Sequence, residues 1–222
     1  MTRRVGILGG TFDPVHLGHI DVASAGVRAL HLSSLVMMPA NVPPHRPSPS
    51  ASPFHRFAMV SLAIADRHGW TASDMELLDP ARSFTSATLD RLHVQGYAAS
   101  ELYFLIGVDA FRDIASWKDY PALLDKANFG VVGRPGFSVA TLAGALPDLA
   151  SRMRTPDHVP GGQTMIVLID AATTDVSATA IRLRVAAGQS IDGLVPASVA
   201  QHIERHGLYT ASVSDRRSGD SH

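Results

Sequence analysis

Short apolar runs alternate along this chain with longer stretches in which apolar residues recur every three or four positions. The short runs read as strands and the periodic stretches as amphipathic helices. Residues 5–8 form the first apolar run and residues 20–30 the first helix-like segment. Residues 35–38 read as a second strand, and residues 39–53, with six prolines, as a long loop. A helix over 56–67 follows, then a third strand at 75–78 and a helix over 85–94, with Leu89 and Leu92 on one face. Further strands are expected at 102–106, 129–132 and 165–169, and late helices at 178–187 and 197–206. Strands separated by helices imply parallel pairing with right-handed crossovers. The predicted fold class is therefore α/β: a Rossmann-like, doubly wound, mainly parallel sheet with helices on both faces.

The polar segments add the boundaries. Residues 137–162 are irregular in character and read as a surface insertion. Residues 211–222 are polar and aperiodic, so a disordered tail is expected behind a single domain at 1–210. Composition then removes several classes of function. The chain has 222 residues, enough for one substantial core. Its formal charge of −1 argues against a nucleic-acid binder, whose domain would be strongly basic. The absence of cysteine excludes disulfides, thiolate zinc sites and cysteine nucleophiles. No apolar run approaches the roughly 20 residues that span a bilayer. The start, Met1-Thr-Arg-Arg, has no h-region, so a cytoplasmic protein without membrane partners is expected.

The chemistry concentrates in GGTFDPVHLGH, residues 9–19, at the first strand-to-helix corner. An α/β fold places phosphates at such corners, where backbone amides and a helix N-terminus face the ligand. The glycines, Gly6, Gly9 and Gly10, do not fit G-x-G-x-x-G. Asp13-Pro14 reads as a turn. His16 and His19 lack the spacing and the glutamate of H-E-x-x-H, so a metal site is the poorer reading; Gly18 between them would admit a ligand closely. At the far end, VSATAIR (residues 176–182) opens a helix with Ser177 as N-cap, Thr179 in the first turn and Arg182 one turn on. Hydroxyls, free helix amides and a guanidinium suit a triphosphate.

Other segments offer second sites. His45 and Arg46 sit on the proline-rich loop. SFTSATL, residues 83–89, offers helix-start amides at Phe84, Thr85 and Ser86. LIGVDAF, residues 105–111, puts Gly107 and Asp109 just after a strand, where Asp109 would hold a ribose or cap a helix. Trp117 and Tyr120 supply aromatics beside that corner.

H-x-G-H at the first helix and a near match to I-S-S-T-x-I-R resemble the nucleotidyltransferase superfamily; Val176 and Ala178 depart from the second pattern. With PPHR, SFT, IGVD, W-x-x-Y, GRPG at 133–136 and HIERHGLY at 202–209, the chain resembles the bacterial nicotinate-nucleotide adenylyltransferases from residue 5 to about 209. Phe84 stands where tyrosine is commoner in that family. The resemblance implies that ATP and nicotinate mononucleotide give deamido-NAD and diphosphate, in NAD biosynthesis. It implies that Gly9, Gly10, Thr11 and Phe12 line the phosphate turn, and that His16 and His19 donate to phosphoryl oxygens. Ser177, Thr179 and Arg182 would hold the outer phosphates, with Mg²⁺ carried mainly by ATP rather than by protein ligands. Gly107, Asp109 and Arg134 would seat the adenosine. His45 and Arg46 would take the mononucleotide phosphate, Trp117 and Tyr120 the pyridine ring, and Phe84, Thr85 and Ser86 its carboxylate. The competing readings are an adenylyltransferase for nicotinamide mononucleotide or phosphopantetheine, and a non-catalytic nucleotide sensor. An aminoacyl-tRNA synthetase is excluded by the short chain and the lack of K-M-S-K-S.

Overall fold

The computed structural model describes residues 3–42, 48–79, 81–158 and 162–210. Seven strands form one sheet: β1 (Val5–Gly10), β2 (Ser34–Pro39), β3 (Trp70–Ala72), β4 (Leu102–Gly107), β5 (Asn128–Val132), β6 (Met153–Arg154) and β7 (Ile166–Ile169). Their order is β3-β2-β1-β4-β5-β7-β6, and every pairing is parallel. The α-helices are α1 (Leu17–Leu30), α2 (Pro53–Ala63), α3 (Thr85–Val94), α4 (Val108–Phe111), α5 (Leu142–Ala145), α6 (Ala178–Ala186) and α7 (Ala197–Arg205).

Strand residues alternate between two cores. Leu8, Leu35, Met37, Leu105 and Val167 face one layer with Ile20, Ala23, Met59, Val60, Ile181, Val199 and Ile203 from α1, α2, α6 and α7. Ile7, Phe104, Ile106, Phe129 and Val131 face the other with Leu89, Leu92 and Phe111 from α3 and α4. Burial on both faces is why the central strands read as continuous apolar runs. The sheet is doubly wound, as the alternation predicts. It winds outward from β1 in one direction through β2 and β3, and in the other through β4. That reversal opens a crevice at the carboxyl ends of β1 and β4, where ligands bind in such sheets. Gly9 and Gly10 end β1, and Gly107 ends β4.

Three expectations are corrected. The third strand is Trp70–Ala72, while residues 75–78 form a turn in which Leu77 N–H and Leu78 N–H both donate to the Asp74 carbonyl. An edge strand pairs on one side only and needs no continuous apolar run, so WTA carried no strand pattern. Residues 137–162 are not merely a surface insertion. Val139, Leu142, Leu149 and Met153 are buried in the second core, and Met153 and Arg154 form the β6 edge against β7. Helix α2 also starts earlier than expected, because Ser52 caps it by accepting from His55 N–H and Pro53 fits its first turn.

Candidate active site

The first corner is built around its own atoms. Phe12 turns with φ +49° and is fully buried, its ring 3.1 Å from where a Cβ on Gly10 would stand. The Phe12 ring then meets the edge of His19, with centroids 4.9 Å apart. Phe12 therefore supports the turn from beneath and has only main chain to offer a ligand. His16 caps α1 in extended backbone, and its N–H donates to His19 Nδ1 at 3.2 Å. That bond leaves Nε2 as the proton-bearing nitrogen of neutral His19. The two imidazoles stack at 3.7 Å.

His16 is buried, and its Nδ1 has no hydrogen-bond partner among the described residues. Burial, and then the nearby positive charge of Arg134, lower its pKa from 6.5 to about 4. At neutral pH it is an uncharged ring. Across the crevice, Arg134 Nη1 pairs with Asp109 Oδ2 at 3.2 Å, and Asp109 Oδ1 is buried without a hydrogen-bond partner among the described residues. His16, Arg134, Asp109 and Gly107 thus gather at the ends of β1, β4 and β5. Two glycines admit close neighbours. A Cβ on Gly18 would sit 3.2 Å from both His16 Nδ1 and the Thr174 carbonyl, and one on Gly107 would sit 2.5 Å from Asp109 Oδ1. A side chain at either position would therefore collide with His16 and the Thr174 carbonyl, or with Asp109.

The loop before α6 is tied to the same corner. Asp21 on α1 accepts from Thr174 N–H at 2.8 Å and from its hydroxyl at 2.6 Å. Ser177 caps α6, accepting from Ala180 N–H at 3.2 Å, and Thr179 is exposed in the first turn. Arg182 donates to the Asp13 carbonyl at 2.7 Å and to Thr179 Oγ1 at 3.2 Å. The guanidinium is thereby drawn to Asp13, in the turn that follows β1.

A second cluster forms at the start of α3. Asn41 N–H donates to Ser83 Oγ at 2.9 Å, and Ser83 N–H donates to the Val42 carbonyl at 3.0 Å. Ser86 donates to Asp119 Oδ2 at 2.6 Å, and Lys118 lies 4.9 Å over the Phe84 ring. The fold so brings the SFT segment, the start of the proline-rich loop and the W-x-x-Y segment together. Phe84 N–H is spent on the Arg82 carbonyl at 2.9 Å. The amides of Thr85, Ser86 and Ala87, first in the helix, have no partner inside it. Trp117 is half-buried, edge-on to Phe104 at 6.3 Å, and Tyr120 packs at the margin of the second core. His45 and Arg46 lie outside the described residues.

Three residues of this site escaped sequence reasoning. Asp13, read only as a turn former, accepts from Ser50 N–H at 2.7 Å, Ala51 N–H at 3.0 Å and Tyr209 OH at 2.8 Å. Tyr209 is held well above the ordinary tyrosine range by burial and by the Asp13 charge and hydrogen bond. Arg56 is fully buried and donates to the carbonyls of Thr11 at 2.8 Å, Ala40 at 2.5 Å and Ala51 at 3.3 Å. Burial lowers its pKa, against the opposing charge of Asp13. The available signal was a charge on an apolar face: Arg56, Met59 and Val60 share one side of α2.

Among the described residues no group of acidic or histidine side chains is arranged to hold a metal, and no helix is long and apolar enough to cross a membrane. A separate concavity of about 630 Å³ lies at the other end of the strands, with Ser100, Asp125, Arg152 and Thr164 in its wall. Arg152 there is committed to Asp125, Thr164 and the Leu124 carbonyl.

The cytidylyltransferase-like family model matches residues 7–184. A protein of Geobacter sp. (strain M21) named "Probable nicotinate-nucleotide adenylyltransferase" is 37% identical over 217 residues, covering 93% of this chain and 98% of its own. One of the same name from Cronobacter sakazakii is 38% identical over 218 residues, covering 94% and 99%. Among solved structures, Plasmodium falciparum nicotinic acid mononucleotide adenylyltransferase complexed with APC aligns with a TM-score of 0.69 at 17% identity. That alignment covers 93% of this chain and 97% of that one. The complex with NaAD aligns with a TM-score of 0.62 at 16% identity, with the same coverage. At such identities the structural likeness bears on the fold.

Proposed function

The chain belongs to the cytidylyltransferase-like family and, within it, to the nicotinate-nucleotide adenylyltransferases, and from that premise we propose that it transfers the adenylyl group of ATP to nicotinate mononucleotide. The products are deamido-NAD and diphosphate, in NAD biosynthesis. One observation carries the site assignment: two buried polar atoms in the crevice at the ends of β1 and β4, His16 Nδ1 and Asp109 Oδ1, have no hydrogen-bond partner among the described residues. Buried polar groups are normally bonded, which supports seating a polar ligand beside these atoms.

The nucleophile is the 5′-phosphate of the mononucleotide, already an anion at neutral pH. Its oxygen bonds to the α-phosphorus as the bond to the bridging oxygen breaks, and diphosphate leaves with that electron pair. No general base is needed. The protein contributes orientation and fixed donors for the charge that develops. His19, with its proton on Nε2, and His16 donate to α-phosphoryl oxygens. Ser177, Thr179 and Arg182 hold the leaving phosphates above the Gly9–Thr11 turn. Asp109 takes a ribose hydroxyl, held in place by Arg134. The carboxylates nearest the phosphates are engaged within the protein, Asp13 by three donors and Asp109 by Arg134, which fits a metal that arrives on ATP. Mg²⁺ bound by the triphosphate supplies charge neutralisation there.

On the acceptor side, Thr85 and Ser86 amides at the α3 N-terminus, with Lys118 nearby, favour a carboxylate over an amide. Trp117 stacks on the pyridine ring beside Tyr120, and Arg46, with His45, takes the mononucleotide phosphate. Both substrates are water-soluble, in keeping with the cytoplasmic location expected from the sequence. Side-by-side kinetics with nicotinate and nicotinamide mononucleotides test the acceptor. A higher kcat/KM for nicotinate is expected; equal values would overturn the carboxylate assignment. Absence of diphosphate release with either would leave the sensor reading.

A further inference from the structure

We propose that Tyr209 and Asp13 form a positioning relay that aims Arg182 at the triphosphate and fixes the end of the proline-rich loop. It extends the adenylyl-transfer reading above and rests on that reading for its kinetic arm. After α7 the chain reverses at Gly207, φ +58°, and Tyr209 itself stands at φ +62°. Left-handed backbone is uncommon for a bulky residue and persists where surroundings determine it. Here the phenol reaches Asp13 Oδ1 at 2.8 Å, 196 residues away in sequence.

The Asp13 side chain is 6% exposed. Its carboxylate collects Tyr209 OH and the amides of Ser50 and Ala51, so its orientation is set from two directions. Arg182 then hangs on this residue. Its Nη1 donates to the Asp13 carbonyl at 2.7 Å and lies 3.8 Å from Oδ2. Among the described residues, the guanidinium also donates to Thr179 Oγ1, at 3.2 Å. A tilt of Asp13 moves the acceptor that places Arg182 and, independently, the amides of residues 50 and 51. Neither Asp13 nor Tyr209 needs to touch a substrate; both act through other residues.

The test is a double-mutant cycle on the full chain with Tyr209→Phe, Arg182→Ala and the pair, read as the calorimetric Kd for ATP and as separate KM values for ATP and nicotinate mononucleotide. Loss of one buried charge-assisted hydrogen bond is expected to weaken ATP binding about tenfold in the parent background. In the Arg182→Ala background the same substitution should change it less than about twofold, because contacts in one network are not additive. The rise in KM for the mononucleotide should persist in both backgrounds, since it runs through Ser50 and Ala51. Asp13→Asn, which sets an amide donor against those main-chain amides, should reproduce both effects; Tyr209→Phe carries the cycle alone if that variant does not fold. Equal factors for ATP in the two backgrounds would overturn the relay, because a merely structural loss is additive. If the parent protein released no diphosphate, the functional reading would fail while the ATP-binding arm still decided the relay.

Discussion

His16 makes the fold sensitive to acid in a calculable way. In the unfolded chain its imidazole has the ordinary pKa of 6.5, and in the folded chain about 4. The folded value is the lower one, so between these values the unfolded state binds more protons and stability rises with pH. The contribution is intact above 6.5, falls as pH drops through that value, and is fully lost below 4. Integrating the two titrations gives a loss of about 1.4 kcal/mol at pH 5.5 and about 3 kcal/mol at pH 4. For a chain of this size those losses correspond to roughly 3–6 °C and 6–12 °C in Tm. His16→Asn keeps a good N-cap residue and removes the titration. Urea melts of parent and variant at pH 7.5, 5.5 and 4 should show the stability difference moving in the variant's favour by those amounts. Because Arg134 is the smaller cause, Arg134→Gln should shrink the trend without abolishing it. A difference that stayed constant within about 0.5 kcal/mol across the series would refute the burial of a neutral ring at this corner.

Three more outcomes are expected. His19→Ala should lower kcat by ~10²–10³ while ATP still binds, in single-turnover kinetics with a parallel binding titration; an unchanged kcat would remove His19 from the α-phosphoryl group. Arg46→Ala should raise the KM for the mononucleotide far more than that for ATP, and equal effects would move Arg46 away from the acceptor phosphate. Arg56→Met should cost about 3 kcal/mol or more in urea unfolding, because it strips the buried carbonyls of Thr11, Ala40 and Ala51 of their donor; a neutral effect would mean that water replaces it.

The sequence showed most of what lies along a single element and little of what joins elements. Strands buried on both faces announce themselves by continuous apolar runs, so the central sheet was legible, whereas the three-residue edge at Trp70–Ala72 was not. Motif residues such as His16, His19, Ser177 and Arg182 were legible because helix starts have local chemistry. The roles of Asp13, Arg56 and Tyr209 were hidden because each is set by partners at long sequence separation: Arg56 with Thr11, Asp13 with Ser50, Tyr209 with Asp13.

The two feet of the proline-rich loop are clamped by one buried cation and one buried carboxylate. Arg56 holds the carbonyl of Ala40 at one foot and that of Ala51 at the other, and Asp13 holds the amides of Ser50 and Ala51. What lies between Asn41 and Ser50 therefore enters and leaves the domain at fixed points, whatever its own sequence. Loop-closure entropy grows slowly with length, by about 0.6 kcal/mol for each doubling. The segment is an exchangeable cassette: evolution or an engineer can lengthen, shorten or rewrite it to meet a different phosphorylated acceptor, while the donor half of the crevice keeps its geometry.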